Sequence, residues 1–362
     1  MFVIGTRPEA IKMAPVIHEF IDQGALVEVC LTGQHRELLN PLLEWFNLPV
    51  HYNLDLMSPG QQLNNLASKI IHSIDMALER SKPDLIFVQG DTTTASMAAL
   101  SAFHRKIKIA HIEAGLRTQN LKSPFPEEMN RQIISRMTDF HFAPTKRAVI
   151  NLKNEGITKN VILTGNTVVD ALTWSKKKLS DGISNTFITT WEKKIKSNSN
   201  WILVTMHRRE NFGQGLAALV KSALEIVDQT CSQIIWPIHP NPNIKDSIPD
   251  DLFNHSKIYL IEPLNYPSMI WLMSKVSLII SDSGGIQEEA PSFGVPVIVT
   301  RETTERVEGF EQGTSFLFGK NDDLTQMAKN LLKENKSQKA PNPYGDGQAS
   351  KRIVAYINKY FT

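Results

Sequence analysis

Ser281-Asp282-Ser283-Gly284-Gly285-Ile286-Gln287-Glu288-Glu289-Ala290 is the stretch on which the fold turns. The apolar run 276–280 before it reads as a buried strand, and a helix is expected to begin at the two glycines. Such a turn aims unbonded backbone N–H groups and the positive end of a helix dipole at one point, where an anion is stabilised. The glycines let a phosphate approach the backbone closely. Glu289, about one and a half turns in, is placed to accept hydrogen bonds from ribose hydroxyls. The segment therefore reads as a seat for a nucleotide diphosphate, with a plain strand–glycine–helix connection as the competing reading.

Outward from this stretch, short β-branched runs alternate with amphipathic segments of helix length. In the first half, strands are expected over 2–4, 26–31, 85–88, 107–112, 140–142 and 161–163. Helices are expected over 8–23, 36–46, 61–80, 93–103, 127–138, 145–155 and 168–178. The alternation implies a parallel sheet covered by helices. Residues 176–200, rich in Lys, Ser and Asn, read as a solvated helix end and linker, with a basic docking patch as the other reading. The pattern then restarts with strands over 201–205, 233–237, 257–261, 276–280 and 295–299, and helices over 215–229, 267–273, 285–293 and 323–332. A polar bridge over 335–347 leads to a last helix over 348–360. The expected class is α/β: two doubly wound, Rossmann-like domains facing a cleft. The first spans 1–167 plus 348–362 and the second 168–347. The first strand, 2–4, looks clipped by about two or three residues against the usual strand length.

Composition narrows the classes. The chain has 362 residues, enough for two cores. With 41% hydrophobic and 21% charged residues and a formal net charge of +2, binding of nucleic acid through bulk charge is disfavoured. The cysteines, Cys30 and Cys231, lie far apart, against a disulfide scaffold and in keeping with a reducing cytoplasm. No apolar run approaches the ~18 residues of a membrane helix, and no secretory leader is evident.

In open parallel sheets, ligands sit beyond the carboxyl ends of the strands. In Gly5-Thr6-Arg7-Pro8-Glu9, a capping box accounts for Thr6, Pro8 and Glu9 but not for Arg7, a residue suited to phosphate. Lys12, one turn on, reads equally as a second cation or a solvated residue. Asp91, in Gln89-Gly90-Asp91-Thr92, is either an N-cap or a carboxylate for proton transfer. Glu113 follows the strand in His111-Ile112-Glu113-Ala114-Gly115. The His-x-Glu pattern lacks the paired cysteines of a zinc deaminase, so no metal site is expected. Glu127 opens a helix after Pro124-Phe125-Pro126. Crowding of Asp91, Glu113 and Glu127 would push their pKa values apart, giving an acid beside a base. His207, flanked by Arg208, ends the second domain's first strand. His239 follows the next strand, and Arg306 is expected to close on a diphosphate. Gly213-Gln214-Gly215 lies too far beyond its strand for a nicotinamide site.

Gly5-Thr6-Arg7-Pro8-Glu9-Ala10-Ile11-Lys12, Gly90-Asp91-Thr92-Thr93-Thr94, His111-Ile112-Glu113-Ala114-Gly115-Leu116-Arg117, Pro126-Glu127-Glu128-Met129-Asn130-Arg131, His207-Arg208-Arg209-Glu210-Asn211, the opening stretch from Asp282 and Asn342-Pro343-Tyr344-Gly345-Asp346-Gly347-Gln348-Ala349 stand in one order. In these motifs the chain resembles the non-hydrolysing UDP-N-acetylglucosamine 2-epimerases over nearly its whole length. The resemblance implies a glycosyltransferase-B-like fold, a homodimer, and isomerisation of UDP-N-acetylglucosamine to UDP-N-acetylmannosamine, the latter supplied to cell-surface polysaccharide, with no metal or cofactor. It assigns UDP binding to Arg7, His239, Ser283, Gly284, Gly285, Glu289 and Arg306. Catalysis falls to Asp91, Glu113, Glu127 and His207, with Lys12 close by. Gln34, His35, Gln61 and Arg208 match positions where some members bind UDP-N-acetylglucosamine as an activator. The rivals on this fold are a hydrolysing epimerase, whose Gly-Asp-Arg and His-Gly-Gly-Glu motifs this chain lacks, and a UDP-sugar glycosyltransferase. A third, from another class, is an inactive nucleotide-sugar sensor.

Overall fold

In the computed structural model, residues 1–33, 36–56, 58, 60–195, 200–206, 214–238, 250–301, 304–319, 322–333 and 341–361 are described, with backbone alone for 36–38, 214–215 and 250–251. The chain divides into two compact units, Met1–Trp174 with Tyr344–Thr362, and Ser175–Pro343. The sequence reading divides it at 167/168 and 347/348; these units divide inside the Thr167–Ser180 helix and just ahead of Tyr344.

Among the described residues, the first unit holds seven parallel strands: β1 (Phe2–Ile4), β2 (Val29–Leu31), β3 (Tyr52–Asn53), β4 (Leu85–Gln89), β5 (Lys108–Ile112), β6 (Phe140–Ala143) and β7 (Val161–Leu163). Their order is β3-β2-β1-β4-β5-β6-β7. The second unit holds six: β8 (Trp201–Thr205), β9 (Gln233–Pro237), β10 (Ile258–Ile261), β11 (Leu278–Ser281), β12 (Val297–Val299) and β13 (Ser315–Leu317), ordered β10-β9-β8-β11-β12-β13. Both are doubly wound α/β sheets, the class expected. In each, strand order reverses beside the unit's first strand, between β1 and β4 and between β8 and β11. That switch is where a ligand crevice opens at the carboxyl ends of the strands.

The strands are nearly continuous apolar runs because helices cover both faces. In the first unit Val3, Ile86, Val88 and Ile109 pack with Ile70 and Ile74, and with Ala95, Ala98, Ala99 and Ala102 of the Thr93–His104 helix. In the second, Ile202, Val204, Ile234, Leu278 and Ile280 pack with Leu216, Leu219, Val220 and Ile226 of the Gln214–Thr230 helix. Short as it is, β1 pairs with β2 in register over all its residues and with β4 on its other side.

Two edge strands escaped the sequence reading. β3 is too short for a period of two to register, and β13 carries a single alternation. The linker reading of 176–200 needs a larger correction. Thr186–Lys194 is a helix, N-capped by Asn185, whose side chain accepts from Ile188 N–H. Its polar composition hides Ile188 and Trp191, which share one face and are buried. Trp191 meets Trp201 of β8 edge-on at 5.9 Å and Tyr259 of β10 at 5.3 Å. The last helix, Ala349–Phe361, belongs to the first unit. The buried Asp170 carboxylate accepts from Ala349 N–H (3.2 Å), Ser350 N–H (2.8 Å) and the Ser350 hydroxyl (2.6 Å), holding the start of that helix.

Candidate active site

In the first unit the carboxylates stand at the carboxyl ends of β4 and β5. Gln89 lies opposite Ile112 in the ladder, so Gly90-Asp91 and Glu113 leave adjacent strands at the same level. Asp91 does not cap the following helix. Thr92 does, its hydroxyl accepting from Ala95 N–H at 3.0 Å. The Asp91 carboxylate instead faces Arg131, which approaches one oxygen with Nε at 2.9 Å and a second nitrogen at 2.6 Å. Asn130 Nδ2–H donates to the Asp91 carbonyl at 2.9 Å. Both Asn130 and Arg131 lie on the Glu127–Met137 helix, so the segment that Glu127 opens is tied to the Asp91 turn.

Glu113 is buried, with φ at +66°, a left-handed conformation costly for a residue with a side chain. Its carboxylate is ion-paired with the equally buried Lys12 and accepts from Asn166 Nδ2–H at 3.4 Å. A surrounding network holds this strained backbone in place. Lys12, left open between cation and solvated residue, is therefore part of the carboxylate network.

Glu9 does more than cap. Its Oε2 accepts from Gly5 N–H (2.8 Å) and Thr6 N–H (2.5 Å), and its Oε1 accepts from the Thr92 hydroxyl (2.6 Å). It thus joins the β1 turn to the β4 turn. Burial pushes its carboxyl up to about 7, against the pull of the Thr92, Gly5 and Thr6 hydrogen bonds. Arg7 opens the adjacent helix and is exposed. Glu128, fully buried, accepts from Thr118 N–H (3.0 Å), Arg131 (3.0 Å) and Gln132 (3.2 Å). Burial raises its carboxyl, and these donors together bring it below the ordinary value. Beneath the Asp91 turn, His111 Nε2–H donates to Gly90 O at 2.7 Å, which fixes its tautomer.

The second unit presents a turn made mostly of backbone. The Ser281 and Thr205 hydroxyls meet at 2.7 Å across the ends of β11 and β8, and Ser283 N–H donates to Ser281 Oγ at 3.0 Å. Ser283 precedes the Gly284–Glu289 helix without making a side-chain cap hydrogen bond. The Arg306 guanidinium lies over Gly284, where an added Cβ would fall 2.6 Å from its central carbon. An added Cβ at Gly285 would meet only Ser283 Oγ, at 3.9 Å. Arg306 is held by Glu288, Nε to Oε1 at 2.8 Å, and by Glu305. Its backbone N–H donates to Thr304 Oγ1, and the Thr304 hydroxyl donates to Gln287 Oε1. Glu289 is buried and accepts from the Tyr266 hydroxyl at 3.1 Å. Such an assembly of glycine backbone, helix start and guanidinium is suited to a diphosphate.

Of the expected residues, Asp91, Glu113, Lys12, Arg7 and Glu127 fall on one end of the first sheet, and Ser283, Gly284, Gly285, Glu289 and Arg306 on one end of the second. Gln61 is half-buried, with its Nε2 buried and unpartnered among the described residues. Gln34, His35, His207, Arg208 and His239 lie outside the described residues. Sequence reasoning missed the partners: Arg131 and Glu128, Asn166, and Tyr266. Glu128 and Arg131 stand three apart on a helix, a spacing that brings side chains together. No local pattern marks Asn166 or Tyr266.

A family model described as UDP-N-acetylglucosamine 2-epimerase matches residues 21–358. The UDP-N-acetylglucosamine 2-epimerase of Neisseria meningitidis serogroup A is 46% identical over 373 residues, covering 99% of this chain and 98% of that protein. A crystal structure of the Neisseria meningitidis enzyme bound to UDP-GlcNAc superposes with a TM-score of 0.88, at 44% identity and 99% coverage of both chains. That of the Methanocaldococcus jannaschii enzyme, in complex with UDP-GlcNAc and UDP, gives 0.86 at 34% identity, again covering 99% of each.

Proposed function

The chain belongs to the UDP-N-acetylglucosamine 2-epimerase family, and on that premise we propose that it interconverts UDP-N-acetylglucosamine and UDP-N-acetylmannosamine without releasing free sugar. The observation that carries the catalytic reading is Asp91. Thr92 caps the helix, so capping does not account for the aspartate, and Asp91 stands at a strand end beside Glu113 with Arg131 on its carboxylate.

Carbon 2 of the sugar bears an acetamido group and no neighbouring carbonyl, so its proton is too weakly acidic for simple exchange. A route consistent with these residues removes that proton as the C1–O bond breaks. UDP departs with the bonding electrons and leaves a 2-acetamidoglucal. A proton then returns to carbon 2 from the opposite face, and a phosphate oxygen of UDP re-forms the bond to carbon 1. Asp91 serves as one proton-transfer group and Glu113 or Glu127 as the other. Lys12 positions the Glu113 carboxylate. His207 assists the leaving diphosphate. The first unit thus supplies proton transfer. The second binds UDP, with Glu289 on the ribose hydroxyls and with Ser283, Gly284, Gly285, Arg306 and His239, joined by Arg7, stabilising the growing charge of the diphosphate. The cycle is redox-neutral, and the proton that one carboxyl gains and the other loses is exchanged with solvent before the next turnover in the same direction.

Family likeness further supports a homodimer, and a second UDP-N-acetylglucosamine acting as activator near Gln34, His35, Gln61 and Arg208. Activation would appear as a lag with pure UDP-N-acetylmannosamine that a trace of UDP-N-acetylglucosamine abolishes.

Incubation of the purified protein with UDP-N-acetylglucosamine, followed through the anomeric proton by NMR, tests the main reading. A UDP-N-acetylmannosamine signal should grow to equilibrium with no acceptor present. Free N-acetylmannosamine as the main product, or no turnover without an acceptor, would overturn it.

A further inference from the structure

Glu289 is the only carboxylate the proposal places on the UDP ribose, and a second residue governs how it is held. Tyr266 is the first residue of the Tyr266–Lys275 helix, which Asn265 caps by accepting from Ser268 N–H at 3.1 Å. The phenol hydroxyl donates to Glu289 Oε1 at 3.1 Å. The Tyr266 side chain is also hydrogen-bonded by Ser175, itself fully buried. Ser175, Tyr266 and Glu289 therefore form a chain that ends on the carboxylate. Burial, then the neighbouring Glu289 charge, hold the phenol well above its ordinary range, so its proton remains in place over any working pH.

We propose that Tyr266 is the positioning residue for ribose recognition: its hydroxyl locks the Glu289 carboxylate in the orientation that accepts the ribose hydroxyls. The inference rests on the reading of Glu289 as a ribose ligand. Glutamate has three rotatable bonds, and a carboxylate that must grip a vicinal diol gains selectivity only when its plane is fixed. The Tyr266 hydroxyl fixes it from the protein side. A charged acceptor makes this a strong hydrogen bond, and a site built to bond hydroxyls discriminates steeply against analogues that lack them. Tyr266 itself needs no contact with the nucleotide.

The test is calorimetric titration of UDP and of 2′,3′-dideoxy-UDP into wild type, Tyr266→Phe, Ser175→Ala and Glu289→Gln. Wild type should prefer UDP. Tyr266→Phe should bind UDP about tenfold more weakly while binding the dideoxy ligand as wild type does, so that the preference collapses. Unchanged dideoxy binding also certifies that the variant is folded. Ser175→Ala, the gentler change, should move in the same direction by roughly threefold. The KM for UDP-N-acetylglucosamine should rise in step with kcat nearly constant, the mark of lost ground-state binding. Full preference for UDP in both Tyr266→Phe and Ser175→Ala, with Glu289→Gln having lost it, overturns the role of Tyr266 and leaves Glu289 in place. Equal binding of the two ligands by wild type, or unchanged preference in Glu289→Gln, removes the ribose reading and the inference with it.

Discussion

Where the first unit offers side chains already paired with one another, Lys12 with Glu113 and Arg131 with Asp91 and Glu128, the second offers a short backbone turn overlaid by one guanidinium. The difference follows from the work each is proposed to do. Proton transfer needs carboxylates whose position and ionisation are set by neighbours, because a buried charge without a partner is costly. Holding a diphosphate needs fixed dipoles, and glycine backbone supplies them without side-chain ordering. A change among the first unit's carboxylates should therefore be felt in kcat. A change in the second should be felt first in affinity for UDP.

Asp91→Asn is the sharpest way to break this division. It keeps the shape of the side chain and removes the base, so the rate of epimerisation should fall about 10³-fold with UDP affinity little changed. A variant that turns over at the wild-type rate would detach the first unit from the chemistry. Arg131→Met tests the layer behind it. Asp91 loses both guanidinium nitrogens and Glu128 loses one donor. A fall in kcat of roughly 10²-fold is expected. An unchanged kcat would make Arg131 purely structural.

The third test uses acid. Burial lowers His111 to about 3 and His141 to about 4, both below the ordinary 6.5. The folded protein thus binds fewer protons than the unfolded chain over that range. The stabilisation is complete above pH 6.5 and is lost as pH falls below it. Between pH 7 and 5.5 the two histidines should cost about 2 kcal/mol. His111 and His141 pair across β5 and β6, whereas β8 and β11 contain no histidine. Hydrogen exchange should therefore show protection in β4 and β5 failing at a higher pH than in β8 and β11, and His141→Asn should narrow that gap. Loss in both units at the same pH would contradict it.

The smallest effect expected is also the most selective. Gly284→Ala places a methyl group against the Arg306 guanidinium and should weaken UDP binding about tenfold. Gly285→Ala meets nothing closer than Ser283 Oγ, so the melting temperature should hold. Any loss of UDP affinity there reports the approach of the ligand itself. If both variants bind UDP as wild type does, the turn is only a connection.

What could be read from sequence divides along the same line. The glycine turn proposed to hold a diphosphate is local: a strand, two glycines and a helix start lie within ten consecutive residues, so its geometry follows from the order of residue types. The alternation that set two doubly wound sheets is local too. The partners of the carboxylates are not. Asn166 reaches Glu113 from the segment after β7, and Arg131 reaches Asp91 from a helix that begins well beyond β5. Only the folded sheet brings them together. Burial is no more local. Glu113 lies past an apolar run yet is buried because Lys12 comes to it from the β1 side of the sheet. Trp191 makes a helix essential inside a segment whose average composition is that of a linker.

The central claim is that UDP is dropped and caught again while carbon 2 loses and regains a proton. Incubation with UDP-N-acetylglucosamine in D2O tests it most directly. Deuterium should enter carbon 2 of both epimers at a rate comparable to turnover, and should be nearly absent with Asp91→Asn. Epimerisation that proceeds with the carbon 2 proton fully retained would contradict the account.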